Sequence, residues 1–443
     1  MSAAAVALFS IILLLTMILC GVHLSTSLMA TSLITVTLFT GRFQTAINVL
    51  SSSAWGAVRQ YMFGVIPLFV LMGMLANLSG ASLDLYDAAS LLLKKVRGGV
   101  AIATVIANAI FAAITGVTVA SATIFTKIAL PQMTRLRYNR KMSLGTIAGS
   151  AILGMLIPPS LLMIVYGSQA DVSIGSLFVA AVGPGLLMTI AFILVILILA
   201  KVKPEFIPEA DQLTEEEKKN FRKIVLKPWP IILLIIISLG GIWGGFFTPT
   251  EAGGVGAFGA FLIVLFKKKF TLKGFWDTLL HAGATSGSVL ILMVSASTYS
   301  KTLAMCGVIN LLRNYIQSLS VAPIVVVFVF IIILMILGCI LDSTSILLLT
   351  TPLMVPVIRD LGYDPVWFGL VMIIAIETGM ITPPFGMNVF AVKSSLNGME
   401  GTDDIKVGDI FAGSMPFLFA MIIVDLLCIL IPSIVTYLPM HMG

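Results

Sequence analysis

The sequence predicts an all-α polytopic membrane protein whose two halves are related as an inverted repeat, each with a re-entrant helical hairpin. Composition is the first observation, because 59% of the 443 residues are hydrophobic and only 10% are charged, more apolar than a soluble core of this length requires. The second is the recurrence of long apolar segments along the whole chain. The third is a Gly-Met-x-x-Pro-Pro motif that occurs twice, beginning at Gly154 and at Gly379.

Ten apolar segments are long enough to cross a hydrocarbon core of ~30 Å, which takes about 20 residues of helix. They lie near residues 4–20, 24–40, 61–79, 144–167, 174–200, 228–246, 249–266, 279–300, 366–388 and 408–437. The first lacks a basic leading region and a small-residue cleavage site, so we expect it to remain as a span. Two further apolar regions, 98–134 and 322–357, are interrupted in the middle by small and polar residues.

The positions of lysine and arginine predict the topology, because short basic loops stay in the cytoplasm. We assign to the cytoplasm the segments that hold most of the 26 basic residues, namely 94–97, 135–141, 201–227, 267–273 and 393–406. Both ends of 98–134 are then inside, whereas counting spans places both ends of 322–357 and both chain termini outside, in the periplasm. Because lipid cannot satisfy free backbone groups, two opposed re-entrant hairpins indicate a central polar site.

Two stretches of the first half match two stretches of the second half in the same order. GMLIPPSLLM (154–163) and GMITPPFGMN (379–388) share the glycine, the methionine and both prolines. Upstream of these motifs, TGVTVASATI (115–124) aligns with LGCILDSTSI (337–346). A hairpin followed by a broken helix in both halves is typical of the inverted repeats of membrane carriers, so the pattern favours a transporter.

Each Pro-Pro pair removes two backbone donors and disfavours helix at the preceding residue, so both spans are expected to open there. Opening is predicted to leave the carbonyl groups of 154–157 and 379–382 free to coordinate a cation. The N-termini of the half-helices would offer partial positive charge to an anion. The alternative is an ordinary proline kink whose backbone is satisfied by neighbouring helices.

Polar residues form the interruptions of both hairpins and supply the hard oxygen donors that suit Na⁺ or polar groups of a substrate. They are Thr115, Gly116, Thr118 and Ser121 in the first hairpin and 342–345 in the second. Asp342 has the alternative role of N-cap for the helix that follows it. Glu377 is an acid within an apolar span and so a functional candidate; its alternative role is a structural hydrogen bond to the opened backbone.

Other motifs have structural interpretations. Lys127 is expected to extend its amine to the membrane interface, and Thr248 with Glu251 indicates a helix N-cap. GVGAFG (254–259) fits a dinucleotide-binding pattern but follows no strand, so it indicates close helix packing. The charged segment 201–227 is interpreted as a linker. The sequence contains no catalytic motif of the common hydrolase or nucleotide-binding kinds, so we expect neither an enzyme nor a nucleic-acid partner.

Four stretches resemble the large membrane subunit of tripartite ATP-independent periplasmic (TRAP) transporters: 154–187, 244–257, 341–357 and 363–390. The resemblance implies an elevator-type transporter fold similar to the ion transporter superfamily, in which a transport domain bearing both hairpins slides against a scaffold. It implies Na⁺ as coupling ion, a small organic acid anion as substrate, and a multi-pass location in the lipid bilayer of a bacterial inner membrane. Two protein partners are also implied, a small four-helix membrane subunit on a separate chain and a periplasmic solute-binding protein.

The resemblance also divides the chain and carries the family's sites onto matching positions. The transport domain is expected at 94–172 and 279–407, and the scaffold at 1–93, 173–278 and 408–443. Na⁺ is expected at Thr115, Gly116, Thr118, Gly154, Pro158, Asp342, Thr344, Gly379, Thr382 and Pro383. Substrate is expected at Ser121, Pro159, Ser160, Ser343, Ser345, Pro384 and Asn388, with Glu377 as a further intramembrane candidate.

The first hairpin tip departs from the family pattern, because 115–121 lacks the acid and one of the serines usual there. We therefore expect ion binding or substrate preference to differ at this tip. Two other functions stay open on the sequence alone. One is a self-sufficient Na⁺/carboxylate symporter that needs no partner subunit, and the other is a membrane scaffold without coupled transport.

Overall fold

The computed structural model describes residues 3–210, 212–319 and 321–442. These residues form helices joined by turns and loops, with no β-strand among them, which confirms the predicted all-α class. The predictions for the two chain ends fall on Met1 and Gly443, which lie outside the described residues. Asp211, within the charged linker, lies outside them as well.

Five helices precede the first hairpin: α1 (Ala3–Leu19), α2 (Leu24–Thr40), α3 (Phe43–Val58), α4 (Val65–Leu78) and α5 (Ala81–Leu93). Helix α3 falls outside the predicted spans because serine, asparagine and glutamine are mixed among its apolar residues. Helices α4 and α5 meet at a bend of 63°. Gly80 lies at this bend with a φ of +77°, a conformation that glycine adopts at little cost.

The first hairpin consists of α6 (Gly99–Thr115) and α7 (Thr118–Arg135). Only Gly116 and Val117 separate the two helices, so the interruption is shorter than predicted and Ser121 lies one turn inside α7. At the base, Arg97 donates to Pro204 O at 3.1 Å and the Asn139 amide donates to Phe206 O at 2.9 Å. Both ends therefore contact one turn of the linker, which confirms that this region enters and leaves on the same side.

The first broken helix comprises α8 (Arg140–Ala151), α9 (Leu153–Leu156) and α10 (Leu161–Ala170), followed by α11 (Ile174–Ala180) and α12 (Val182–Val202). The helix opens at Ile157, whose backbone is extended with φ −88° and ψ 128°. It begins again after Ser160, whose hydroxyl accepts a hydrogen bond from the Met163 amide as an N-cap. The predicted opening at the first Pro-Pro pair is therefore confirmed.

Between the first broken helix and the second hairpin lie α13 (Glu215–Val225), α14 (Trp229–Trp243), α15 (Pro249–Phe266), α16 (Leu272–Met305) and α17 (Val308–Ser318). The Thr248 cap and its Glu251 partner form a capping box at the start of α15, as predicted. A Cβ atom on Gly256 would collide with the Met72 sulfur of α4. A Cβ atom on Gly259 would likewise collide with Leu234 of α14, whereas Gly254 has open space around it. Two of the three glycines of GVGAFG therefore allow close helix packing, which confirms that interpretation.

The second hairpin consists of α18 (Pro323–Gly338) and α19 (Ser343–Asp360), and it is followed by α20 (Pro365–Gly379), α21 (Met387–Ser395), α22 (Val407–Leu430) and α23 (Ser433–Met442). The turn of this hairpin is 339–342, so the predicted interruption at 342–345 is wrong for Ser343, Thr344 and Ser345, which form the first turn of α19. Arg313 of α17 pairs with Asp360 at the end of α19. Because α17 also leads directly into α18, both ends of this hairpin lie near α17.

Six helical segments of the described chain are long and apolar enough to cross a membrane, or seven if the bent α4–α5 pair is one span. Six of the ten predicted spans match them. The predicted spans 4–20 and 24–40 each hold a helix of 17 residues, about 26 Å long at 1.5 Å per residue. The predicted span 366–388 holds a helix of 15 residues, because α20 ends at Gly379 where the second break begins.

Ion pairs and hydrogen bonds at the helix ends form two separate groups. One group joins segments predicted to be cytoplasmic: Lys94 to Glu217 at 2.7 Å, Arg140 to Asp404 at 2.6 Å, and Lys227 to Asp84 at 2.6 Å. The other lies at the end of the second hairpin that is predicted to be outside, where Arg359 donates to Ala170 O at 2.6 Å and the nearby Ser168 donates to Gln60 at 3.2 Å. Residues assigned to the same side of the membrane thus contact one another. Which side is cytoplasmic and which is periplasmic stays a prediction.

Candidate functional site

The tip of the first hairpin lies directly on the first helix break. Gly116 closes the tip with a φ of +61°, and its carbonyl accepts a hydrogen bond from the Leu161 amide at 3.2 Å. A Cβ atom at Gly116 would lie 2.7 Å from Pro159 O, so only glycine fits here. Thr115, Gly116, Pro159 and Ser160 border a cavity of about 10 Å³, a volume comparable with one water molecule.

The glycine that begins each Gly-Met-x-x-Pro-Pro motif packs against the hairpin of its own repeat. A Cβ atom on Gly154 would lie 3.0 Å from Val117 O of the first hairpin, and one on Gly379 would lie 2.5 Å from the Gly338 Cα of the second. The same residue of each motif therefore makes the same kind of contact. Close backbone packing is the physical reason for glycine at both positions.

Glu377 joins the hairpins of the two repeats. Its side chain is fully buried. Oε2 accepts a hydrogen bond from Thr118 Oγ1 at 2.8 Å, and Oε1 accepts one from Ser343 Oγ at 2.6 Å. The predicted alternative, a bond to the opened backbone, is wrong, because both partners of this carboxyl are hydroxyl groups at the starts of α7 and α19. The matching position of the first repeat is Ile152, so this link has no counterpart there.

Asp342 is the N-cap of α19, as the sequence predicts for one of its two roles. Its carboxylate accepts a hydrogen bond from the Ser345 amide at 3.0 Å and another from the Ser345 hydroxyl. The side chain is partly exposed. Capping uses part of the hydrogen-bonding capacity of two carboxylate oxygens, so Asp342 retains acceptor capacity for an ion.

The prediction that both breaks leave free carbonyl groups is wrong at three positions. Met155 O accepts the Ser160 hydroxyl at 2.5 Å. Gly379 O accepts the Thr382 amide at 2.9 Å, and Met380 O accepts the Asn388 amide at 3.1 Å. Because the chain turns sharply at each break, residues close to the prolines on either side, namely Ser160, Thr382 and Asn388, satisfy these groups.

Comparison with known proteins identifies the family. The family model for the tripartite ATP-independent periplasmic transporter, DctM component, matches residues 11–434. The chain belongs to this TRAP transporter family.

Individual relatives agree with this assignment. The chain is 31% identical to the C4-dicarboxylate TRAP transporter large permease protein DctM of Pseudomonas aeruginosa, covering 90% of this chain and 91% of that protein. It is 29% identical to the sialic acid TRAP transporter large permease protein SiaM of Vibrio cholerae, covering 89% and 90%. It is 28% identical to the 2,3-diketo-L-gulonate TRAP transporter large permease protein YiaN of Escherichia coli, covering 88% and 89%.

A solved structure is similar in fold. The YdaH transporter of Alcanivorax borkumensis, described as having an unusual topology, matches with a TM-score of 0.62 and 13% sequence identity. The match covers 87% of this chain and 88% of that chain. At this identity the likeness concerns the fold alone.

In this TRAP family member, the half-helix after each break contacts the hairpin of the other repeat. Helix α10 packs against α19, and α21 packs against α7. The elements that carry the predicted Na⁺ and substrate residues are therefore interleaved across the two repeats. This arrangement brings 115–121, 154–160, 342–345 and 377–388 into one connected region of the molecule.

Three buried side-chain oxygens in the first hairpin and its neighbours have no hydrogen-bond partner among the described residues: Ser121 Oγ, Asn388 Oδ1 and Asn108 Oδ1. Asn388 donates to Ala148 O at 2.6 Å, and Asn108 donates to Ser150 at 2.7 Å, so each amide is only half satisfied. Buried polar groups are normally paired. Oxygens left in this state can accept from a bound water or coordinate a cation.

The two breaks differ in exposure. Pro158, Pro159 and Ser160 are buried, whereas Pro383 and Pro384 are exposed. The second break is therefore the more accessible of the two. Thr382 of the second break and Thr344 of the second hairpin are partly exposed.

Sequence reasoning missed three polar residues of the membrane-embedded region. Asn108 and Ser150 link α6 to α8 within apolar helices. Asp425 of α22 is buried, and its Oδ1 has no partner among the described residues. An amide or an acid inside an apolar span is itself a signal, and a search of 98–134 and 408–437 for such residues could have found Asn108 and Asp425.

Proposed function

We propose that this chain is the large membrane subunit of a Na⁺-coupled secondary transporter for a small organic acid anion. The observation that carries the proposal is the buried contact at Glu377, where the hairpins of both repeats meet beside two opened helices. In carriers built from inverted repeats, discontinuous helices at the repeat interface bind substrate and coupling ions.

A carboxylate substrate is supported by the relatives and by the helix ends. The three relatives are named for a C4-dicarboxylate, sialic acid and 2,3-diketo-L-gulonate, all of which are organic acids. Helices α10 and α21 both begin at a break, and a helix N-terminus stabilises negative charge. The proposed substrate groups are Ser121, Pro159, Ser160, Ser343, Ser345, Pro384 and Asn388.

Coupling to Na⁺ is supported by the chemistry of the donors at both hairpins. Thr115, Thr118 and Asp342 supply hydroxyl and carboxylate oxygens, and the tight packing at Gly154 and Gly379 brings backbone of each break against a hairpin. Oxygen donors of this kind suit hard cations. We propose that Na⁺ binds between each hairpin and the break of the same repeat.

An elevator movement is supported by the links that join the two hairpin-bearing segments. The Glu377 contacts and the α10–α19 and α21–α7 packing connect the first repeat to the second. Segments joined in this way can move together as one body. We propose that 94–172 and 279–407 form this body, and that the transporter works with a small four-helix membrane subunit and a periplasmic binding protein.

Reconstitution tests the proposal. The chain and its small membrane subunit are placed in vesicles, the cognate binding protein is added outside, and uptake of a labelled C4-dicarboxylate, sialic acid or diketogulonate is followed with Na⁺ or choline outside. We expect uptake of one acid only when all three proteins and Na⁺ are present. Equal uptake without the two partner proteins would instead support a self-sufficient symporter, and equal uptake in choline would refute Na⁺ coupling.

A further inference from the structure

A large cavity lies away from the hairpins, at the lysine-rich ends of several helices. Its volume is about 860 Å³, at the upper end of the range for pockets that hold drug-sized ligands. It is bounded by α14, by α15 and by the bend between α4 and α5. Since α14 begins and α15 ends at this level, the cavity lies where apolar helices meet a charged layer.

The deeper wall of the cavity is apolar and open to the side. Leu233 and Ile237 of α14 are 45% and 42% exposed, and Leu262 and Phe266 of α15 are 43% and 88% exposed. Trp229 lies at the mouth and is 57% exposed. Tryptophan is enriched at membrane–water interfaces, so the apolar wall continues from the interface along surfaces that face lipid.

The mouth of the cavity is positively charged. Four lysines line it, Lys223, Lys227, Lys267 and Lys269, with one carboxylate, Asp84. Asp84 is buried and pairs with both Lys227 and Lys267, which fixes these two amines in place. Lys223 and Lys269 are exposed and form no ion pair within the described part of the chain, so the mouth keeps a net positive charge.

We propose that this cavity binds an anionic phospholipid from the leaflet on the lysine-rich side. The phosphate lies between Lys223 and Lys269, and an acyl chain follows Leu233 and Leu262 along the apolar wall. An inorganic anion satisfies the lysines but leaves the wall uncovered, and a zwitterionic lipid covers the wall but brings no net charge to the lysines. Only a molecule with an anionic head and an apolar tail matches both features.

Native mass spectrometry of the full chain in neutral detergent tests the proposal. The probes are phosphatidylglycerol and phosphatidylcholine with identical acyl chains. We expect one phosphatidylglycerol to be retained in strong preference to phosphatidylcholine. The variant Lys223→Gln/Lys269→Gln should weaken phosphatidylglycerol binding about 30-fold, because each lysine near an anionic lipid surface contributes about fivefold.

The matched control removes the same charge elsewhere. Lys219 and Lys268 are exposed and adjoin the same segments but do not line the cavity, so Lys219→Gln/Lys268→Gln should change binding less than twofold. Leu262→Trp, which fills the wall without changing charge, should displace the lipid. Equal loss in the two lysine variants, or equal retention of both lipids, overturns the proposal. A cross-link from Leu262→Cys to the small membrane subunit also overturns the proposal, because the cavity is then part of a protein interface.

Discussion

Replacing Glu377 is the sharpest perturbation of the proposed site. In Glu377→Ala, the buried hydroxyls of Thr118 and Ser343 both lose their acceptor. A buried donor left without a partner costs about 1–3 kcal/mol, so the two together cost about 2–6 kcal/mol. Even a cost of about 2 kcal/mol changes an equilibrium constant roughly 30-fold. The equilibrium concerned is the one between the state in which Glu377 joins the two hairpins and the state in which the hairpins are separated.

The assay is the initial rate of Na⁺-driven uptake in vesicles at substrate concentrations well below saturation. We expect Glu377→Ala to reduce uptake at least about 30-fold. Glu377→Gln keeps the volume and one acceptor oxygen, so its uptake should lie between that of Glu377→Ala and wild type. Glu251→Ala is the control, because Glu251 is exposed and bonds only within its own capping box.

Two further variants test the two hydrogen bonds to Glu377 separately. Thr118→Val and Ser343→Ala each remove one hydrogen bond to Glu377 and change little volume. Each should reduce uptake partly, and adding Ser343→Ala to Glu377→Ala should cost little more, because the bond is already absent. Uptake by Glu377→Ala within twofold of wild type, at equal amounts of folded protein, would refute the view that this contact assembles the site.

Three other predictions follow from individual contacts. Gly145→Ala should lower Tm, since its Cβ would collide with Gly413 O, whereas Gly254→Ala, with open space around it, should not. Asp342→Ala removes the cap of α19 and should cost about 1 kcal/mol in thermal unfolding and reduce uptake more than Glu251→Ala does. The charge contact between Lys94 and Glu217 should hold α13 in place at neutral pH and fail in acid. Partial desolvation raises the pKa of Glu217, but hydrogen bonds from Lys94 and Thr214 outweigh it, so the pKa lies below 4.5. Because the pKa of Glu217 is lowered on folding, its ion pair stabilises the fold above pH 4.5, and this stabilisation is lost as the pH falls through the pKa of the folded state. A spin label at Glu216→Cys should therefore become mobile in acid. In the Lys94→Gln variant, the same label should be mobile already at neutral pH.

Local chemistry made the helix breaks and several boundaries predictable. The predicted span 249–266 has the same bounds as α15, because a capping box precedes it and a run of lysines follows it. The break before Pro158 follows from the missing backbone donors. Helices α3 and α17 were outside the predicted spans, since both mix polar with apolar residues and a search for long apolar segments passes over them.

The partners within the site could not be predicted, because they are distant in sequence. Thr118 and Glu377 are separated by 259 positions, and no local pattern indicates that a threonine after the first hairpin tip meets a glutamate before the second break. The carbonyl prediction failed for a related reason. Proline chemistry indicates which donors are missing, but the path of the chain after the break decides which acceptors find new partners, as Met380 O does with the Asn388 amide.

The most direct test of Na⁺-coupled transport is the steady-state concentration of substrate inside the vesicles. With the chain, its small membrane subunit and the cognate binding protein present, an inward Na⁺ gradient should raise the internal concentration of the acid above the external one. Collapsing the gradient with a Na⁺ ionophore should return the ratio to one. A ratio that stays at one under the Na⁺ gradient, while the acid still enters, would contradict coupled transport.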